Sequence, residues 1–222
     1  MAYVPRPKGN RDSTAMPYRC LVWDFDGTLA DTLPIALAIF NALAPKHGFR
    51  PIDDVESMRG LDTRAFLRSR GIPLLKLPAF VREFLTIERD HMAEVRVFPE
   101  VLEVLGQLRG VGNRSGIVSA NRVDNIQTCL RANQADAFFE FVVGYLRLFG
   151  KARAIRRAAR DVELGRHEVL YVGDEVRDIE AARKAGVHVA AVTWGFHTRD
   201  LLARHRPTYL VEHPGELLEL LN

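Results

Sequence analysis

Cys20-Leu21-Val22-Trp23-Asp24-Phe25-Asp26-Gly27-Thr28-Leu29-Ala30-Asp31-Thr32 begins as an apolar run and stops at acidic residues. A short run of this kind predicts a strand over 20–25, buried on both faces of a parallel sheet. Asp24 and Asp26 stand one residue apart, just before a glycine turn. Like charges that close repel, so each carboxylate has to be solvated or bound to a cation. An acidic turn in which Asp31 or Thr32 caps the following helix accounts for the flanking residues. It leaves the Asp24–Asp26 pair unexplained.

Beyond this stretch the pattern alternates. Further strand-like runs are Ser115 to Ser119, Phe141 to Gly144, Glu168 to Gly173, Val187 to Thr193 and Thr208 to Val211. Amphipathic helices fit between and after them, over 100–109, 122–132, 151–160, 177–185, 200–205 and 216–221. In Ile179, Ala182 and Ala185 the apolar face recurs at helical spacing, and Gly186 is a natural stop. Such alternation implies a parallel sheet with helices on both faces. One region breaks it: from about 33 to 97 only helices are predicted, over 33–46, 53–59, 63–70 and 78–94. An insertion directly after the first strand sits at the carboxyl edge of the sheet, where open α/β sheets bind ligands. A helical cap over 33–97 is therefore expected, on a core made of 18–32 and 98–222.

At 222 residues the chain suits one sizeable domain carrying a smaller insertion. Two cysteines, Cys20 and Cys129, are too few for a disulfide framework and lie in apolar stretches, so a cytoplasmic location is expected. No apolar run reaches the length of a membrane span, and the N-terminus lacks the apolar segment of a secretory signal. Residues 1–17 are polar, with Pro5, Pro7 and Pro17, and are expected to form a disordered leader. The formal charge of +3 comes from Arg6, Lys8, Arg11 and Arg19 against Asp12; the rest holds 27 basic and 27 acidic residues. A basic nucleic-acid-binding surface is thereby disfavoured. No histidine pair has zinc-ligand spacing.

The segment Asp24-Phe25-Asp26-Gly27-Thr28 resembles the first motif of the haloacid dehalogenase superfamily, specifically its phosphatases with Asp-x-Asp-Gly-Thr. Three later positions match that family's further motifs in order. Ser119 ends a strand in Ile117-Val118-Ser119-Ala120-Asn121, Lys151 opens a helix, and Gly173-Asp174-Glu175-Val176-Arg177-Asp178 supplies an acidic pair after a strand. Ser119 and Lys151 are weak signals singly and gain weight from their positions. Lys151 is followed by Ala152 where many relatives have Pro, and Arg153 is the nearest alternative cation.

The resemblance implies an α/β fold: a Rossmann-like three-layer α/β/α core with a parallel sheet, plus a small all-helical cap domain. It also implies Asp24 as the nucleophile that forms an aspartyl-phosphate and Asp26 as general acid and base. Relatives that cleave carbon–halogen bonds lack a carboxylate at the second position, so Asp26 points to phosphoryl transfer. Mg²⁺ is expected on Asp24, the Asp26 carbonyl and Asp174, a hard-oxygen donor set. Lys151 and the Ser119 hydroxyl are expected on the phosphoryl oxygens, with Thr28 and Asn121 also contacting substrate. Asp178 is expected to orient Lys151 or a metal-bound water, or simply to favour a helix N-terminus. Glu175 is either a further ligand or an exposed loop residue.

Met58-Arg59-Gly60-Leu61 resembles the cap loop that reads the substrate in relatives, which makes Arg59 a substrate contact and Arg64 a weaker one. The expected activity is hydrolysis of a small-molecule phosphate monoester, phosphoglycolate-like, by a monomer or homodimer. A phosphomutase acting on a sugar phosphate is the enzymatic alternative. A catalytically idle binding protein on the same fold is the alternative outside enzymes.

Overall fold

The computed structural model describes residues 18–145 and 150–221; the expected leader over 1–17 lies outside them. Six strands, β1 (Cys20–Trp23), β2 (Arg114–Ser119), β3 (Phe141–Gly144), β4 (Val169–Gly173), β5 (His188–Val192) and β6 (Tyr209–Val211), form one sheet in the order β3-β2-β1-β4-β5-β6. Every pairing is parallel. The order reverses between β1 and β4, so the crevice where such sheets bind ligands opens at their carboxyl ends.

Alternation along the strands divides the core into two layers. Leu21 and Trp23 face a cluster with Val101, Val104, Leu105 and Leu108 of α5 (Pro99–Gly110) and Ile126 and Leu130 of α6 (Val123–Ala132). Cys20 and Val22 face the other way, toward Ile155 and Ala158 of α7 (Lys151–Asp161) and Ile179 and Ala182 of α8 (Val176–Ala185). Both cysteines are free and fully buried, and burial pushes their thiols up to about 12. Neither is poised as a nucleophile. No helix among the described residues is long and apolar enough to cross a membrane.

Between β1 and α5 lie four helices, α1 (Leu33–His47), α2 (Val55–Arg59), α3 (Thr63–Arg70) and α4 (Leu77–His91). They gather around their own apolar cluster of Phe40, Leu43, Phe49, Leu67 and Phe80, separate from the two core layers. The chain leaves and re-enters the core through two segments that bond to each other. Asp31 N donates to the Arg96 carbonyl (2.9 Å) and Phe98 N to the Leu29 carbonyl (3.0 Å). Some expected boundaries shift. The last helix of the insertion ends at His91 rather than 94, because Met92, Val95 and Val97 turn into the core. Thr32 occupies the N-cap position of α1, but its side chain makes no capping bond, nor is Asp31 the cap. Two further helices, α9 (Arg199–Arg204) and α10 (Glu216–Glu219), complete the core.

Candidate active site

The parallel register delivers the chemistry to one edge. β1 ends at Trp23, yet Asp24 N still donates to the Val172 carbonyl (2.8 Å), so Asp24 holds its place beside β4 one residue past the strand. The Phe25 carbonyl then accepts from Thr28, Leu29 and Ala30 N (3.3, 3.0 and 3.1 Å), which closes the turn. Gly27 has φ +72°, a left-handed conformation glycine adopts without strain. A Cβ there would stand 2.4 Å from Asp174 Oδ2 and 2.4 Å from the Phe196 ring. A side chain at position 27 would collide with the very carboxylate that the β4 end presents.

Asp24, Lys151, Asp174 and Asp178 are all buried. Lys151, at the start of α7, sets its ammonium against both Asp24 Oδ2 and Asp178 Oδ1, although these partners are 127 and 27 residues away in sequence. Its cation also lies 5.4 Å from the centre of the Tyr171 ring. Burial alone pulls the Lys151 pKa down, but Asp178 and then Asp24 more than offset it, and the amine is held charged. Asp174 receives Thr28 Oγ1 (2.7 Å) and Phe196 N (2.6 Å). Burial, with Glu175, Asp178 and Asp24 nearby, pushes its pKa well above the usual carboxylate range. Unlike Asp24 and Asp178, Asp174 makes its hydrogen bonds to a hydroxyl and a backbone N–H and not to the Lys151 ammonium.

Asp26 lies on the other side of the turn and is half-buried. Asn121 Nδ2 donates to both of its oxygens (3.1 and 3.2 Å) and also to Glu88 Oε2 (3.0 Å). Burial and the adjacent Asp24 raise the Asp26 pKa to about 6, with Asn121 opposing. Such a value leaves the group able both to give and to take a proton near neutrality.

The expected residues divide into two sets. Ser119 closes β2 with its hydroxyl buried and accepting from Asn121 N (3.2 Å), at the same edge as Asp24. Arg153, the alternative to Lys151, is exposed on α7. Thr28, Asn121 and Arg59, expected on the substrate, have their donors taken up within the protein. Thr28 is fully buried and supports Asp174. Asn121 spends its amide on Asp26 and Glu88. Arg59 bridges from the insertion to the segment after β5, donating to the Thr193 (3.3 Å) and Gly195 (3.1 Å) carbonyls and to Glu56 Oε1 (2.9 Å). Its own carbonyl accepts from Thr198 N (3.1 Å), so the 58–61 segment does reach the core's carboxyl edge. Arg64 is exposed.

Asp178 contacts Lys151, and its Oδ2 accepts from Glu175 N (2.9 Å) at the start of α8. Glu175 pairs with Arg177. Glu88 was missed by the sequence reading. Its signal was an acidic residue in the apolar stripe of α4, four residues after Phe84 and eight after Phe80. His197 and Trp194 also take definite places: His197 Nδ1 accepts from Val176 N (2.9 Å), and the Trp194 indole donates to the Thr28 carbonyl (3.1 Å).

Asp24, Asp174 and Asp178 each offer an oxygen within 4.8 Å of the others, a grouping that could hold a metal ion. Buried carboxylate oxygens suit a hard divalent cation such as Mg²⁺ better than a soft one. The raised pKa of Asp174 is the electrostatic signature of a carboxyl set that a cation would relieve.

The sequence profile of the haloacid dehalogenase-like hydrolases matches residues 21–192. A phosphoglycolate phosphatase of Synechococcus elongatus is 35% identical over 203 residues, covering 90% of this chain and 96% of that protein. An N-acetylmuramic acid 6-phosphate phosphatase of Pseudomonas aeruginosa is 30% identical over 219 residues, covering 93% and 96%. A haloacid dehalogenase-like family hydrolase of Streptococcus pneumoniae superimposes with a TM-score of 0.77 over 93% of this chain and 99% of that one; at 21% identity it shows the shared fold.

Proposed function

This chain belongs to the haloacid dehalogenase-like hydrolase family and is a phosphatase within it; from that premise we propose that it hydrolyses a small phosphate monoester, phosphoglycolate-like, through an aspartyl-phosphate on Asp24. The observation that carries the reading is the Lys151 ammonium, buried against Asp24 at the same edge as Asp174. A phosphate monoester is dianionic and repels a carboxylate, so attack needs positive charge at the meeting point.

In the proposed reaction a carboxylate oxygen of Asp24 attacks phosphorus, and the bond from phosphorus to the alcohol oxygen breaks. Asp26 gives its proton to the departing alkoxide. It then takes a proton from the water that attacks phosphorus, which releases inorganic phosphate and restores Asp24. Lys151 neutralises charge on the transferring oxygens, Ser119 donates to them, and Asp178 keeps the ammonium in place. Mg²⁺, held by Asp24, Asp174 and the Asp26 carbonyl, would supply charge neutralisation for the incoming phosphate. The helices over 33–91 serve as the cap, with Arg59 contacting the substrate when it leaves its backbone partners. Two buried, unpaired cysteines fit a reducing cytoplasm, where the proposal puts the enzyme.

Phosphate release from phosphoglycolate and a panel of metabolite phosphates, with Mg²⁺ present, tests this directly. Turnover is expected in the wild type, and Asp24→Asn should lower it by about 10³-fold or more. Substantial turnover in that variant would remove Asp24 as nucleophile. Isomerised sugar phosphate in place of free phosphate would identify a mutase.

A further inference from the structure

Glu88 is 2% exposed, and it is one of two buried residues on α4, the other being Phe80 of the apolar cluster. Its carboxyl does not sit in that cluster. It reaches the core, where Oε2 accepts from Asn121 Nδ2 (3.0 Å) and Asn125 Nδ2 (3.4 Å). Asn125, also fully buried, in turn donates to Asn121 Oδ1 (3.1 Å). The Asn121 amide nitrogen has two hydrogens and faces three carboxyl oxygens, two of Asp26 and one of Glu88. Its plane is therefore fixed from both sides. With the Glu88 oxygen in place, one N–H is committed to Glu88 and the other is aimed at Asp26. Asn121 Oδ1 also accepts from Arg122 N (2.7 Å), so without Glu88 the amide keeps that anchor, but Asn121 Nδ2 and Asn125 Nδ2 lose their common acceptor and the aim of the second N–H at Asp26 loosens.

We propose that Glu88 is a positioning residue contributed by the helical insertion: through Asn121 it sets the orientation of the Asp26 carboxyl toward the leaving group. This rests on the phosphatase reading above, in which Asp26 is the proton donor. An acid beside Asp26 repels it if ionised, and burial together with Asp26 raises the Glu88 pKa to about 8, so at neutral pH Glu88 acts as a neutral oxygen acceptor. A glutamine carbonyl can take the same position. An alanine cannot.

The experiment compares kcat/KM, which reports formation of the phospho-enzyme, for p-nitrophenyl phosphate and for a simple alkyl phosphate. The nitrophenolate departs as a stable anion and needs little protonation, whereas an alkoxide needs the acid. For Glu88→Ala we expect a fall of about tenfold or more on the alkyl phosphate and less than about threefold on p-nitrophenyl phosphate. Glu88→Gln should recover most of the alkyl phosphate rate. In an Asn121→Ala background Glu88→Ala should add no further loss, because the route of action is already cut.

A packing role alone would lower both substrates equally, lower the melting temperature, and leave Glu88→Gln no better than Glu88→Ala. That pattern would overturn the inference, as would an active wild type whose leaving-group dependence is unchanged in Glu88→Ala. If the wild type releases phosphate from neither substrate, the phosphatase reading fails first and this inference fails with it.

Discussion

The carboxyl edge of the sheet and the helical insertion contribute to the same site by different physical means. At the edge, three adjacent parallel strands end together, and whatever follows β2, β1 and β4 is delivered to one place by register. In the insertion nothing is delivered by register. Arg59 and Glu88 reach the core because α2 and α4 pack so as to turn one polar residue each toward it. The first region concentrates charge, with Asp24 and Asp178 on one ammonium and an Asp174 oxygen within 4.8 Å of theirs. The second adds single hydrogen-bonding side chains, the Arg59 guanidinium on backbone carbonyls and the Glu88 carboxyl on two amides. In the proposed reaction the core provides the reacting groups, and the insertion, through Glu88, orients one of them.

The contrast can be strained hardest at Lys151. Lys151→Met leaves Asp24 and Asp178 buried without their shared cation, so phosphate release should fall by about 10²-fold or more. Losing one partner of a buried charge set should also cost roughly 3–5 kcal/mol in denaturant unfolding, unless Mg²⁺ is present to compensate. A change confined to activity would mean that the fold does not depend on Lys151 holding these two side chains.

A smaller effect is expected from a backbone change at the same edge. A Cβ at Gly195 would stand 2.3 Å from Asp174 Oδ2 and 2.3 Å from the Gly27 carbonyl. Gly195→Ala should push Asp174 from its place and weaken the Mg²⁺ dependence of activity by roughly tenfold. An unchanged Mg²⁺ titration would separate Asp174 from the metal site.

The insertion's contribution is the mildest and shows in pH dependence. Glu88 titrates at about 8 in the fold against an ordinary value of 4.5. A raised carboxyl favours the protonated fold, so its contribution is complete below about 4.5 and is lost as pH climbs through about 8. Wild-type stability should fall across that window by roughly 2–4 kcal/mol more than that of Glu88→Gln, followed by denaturant midpoints at each pH. Parallel curves would show that Glu88 is not held neutral.

What could be read from the chain follows the same division. The strands, the parallel sheet and the all-helical insertion were legible because each rests on local periodicity, whereas Asp24, Asp26, Ser119, Lys151 and Asp174 were singled out by the resemblance of their motifs to a family, and the parallel register then brings the ends of β1, β2 and β4 to one edge. Thr28 shows the limit: its motif pointed to substrate, but only three dimensions reveal that its hydroxyl is buried on Asp174. Asn121 and Arg59 were expected on the substrate, and their partners within the protein, 95 and 136 residues away, could not be read from the chain. Glu88 was hidden for a related reason. An acid on an amphipathic helix reads as solvated unless its phase in the apolar stripe is noticed, and the groups that receive it belong to α6 and the β2 end.

In the proposed reaction Asp24 carries the phosphoryl group between two half-reactions. Mixing the enzyme with substrate and Mg²⁺, quenching in acid within a turnover, and mapping the peptides by mass tests it most directly. One phosphoryl group is expected on the peptide containing Asp24, absent in Asp24→Asn. Full turnover with no phosphoryl group on that peptide, or its appearance on another residue, would contradict it.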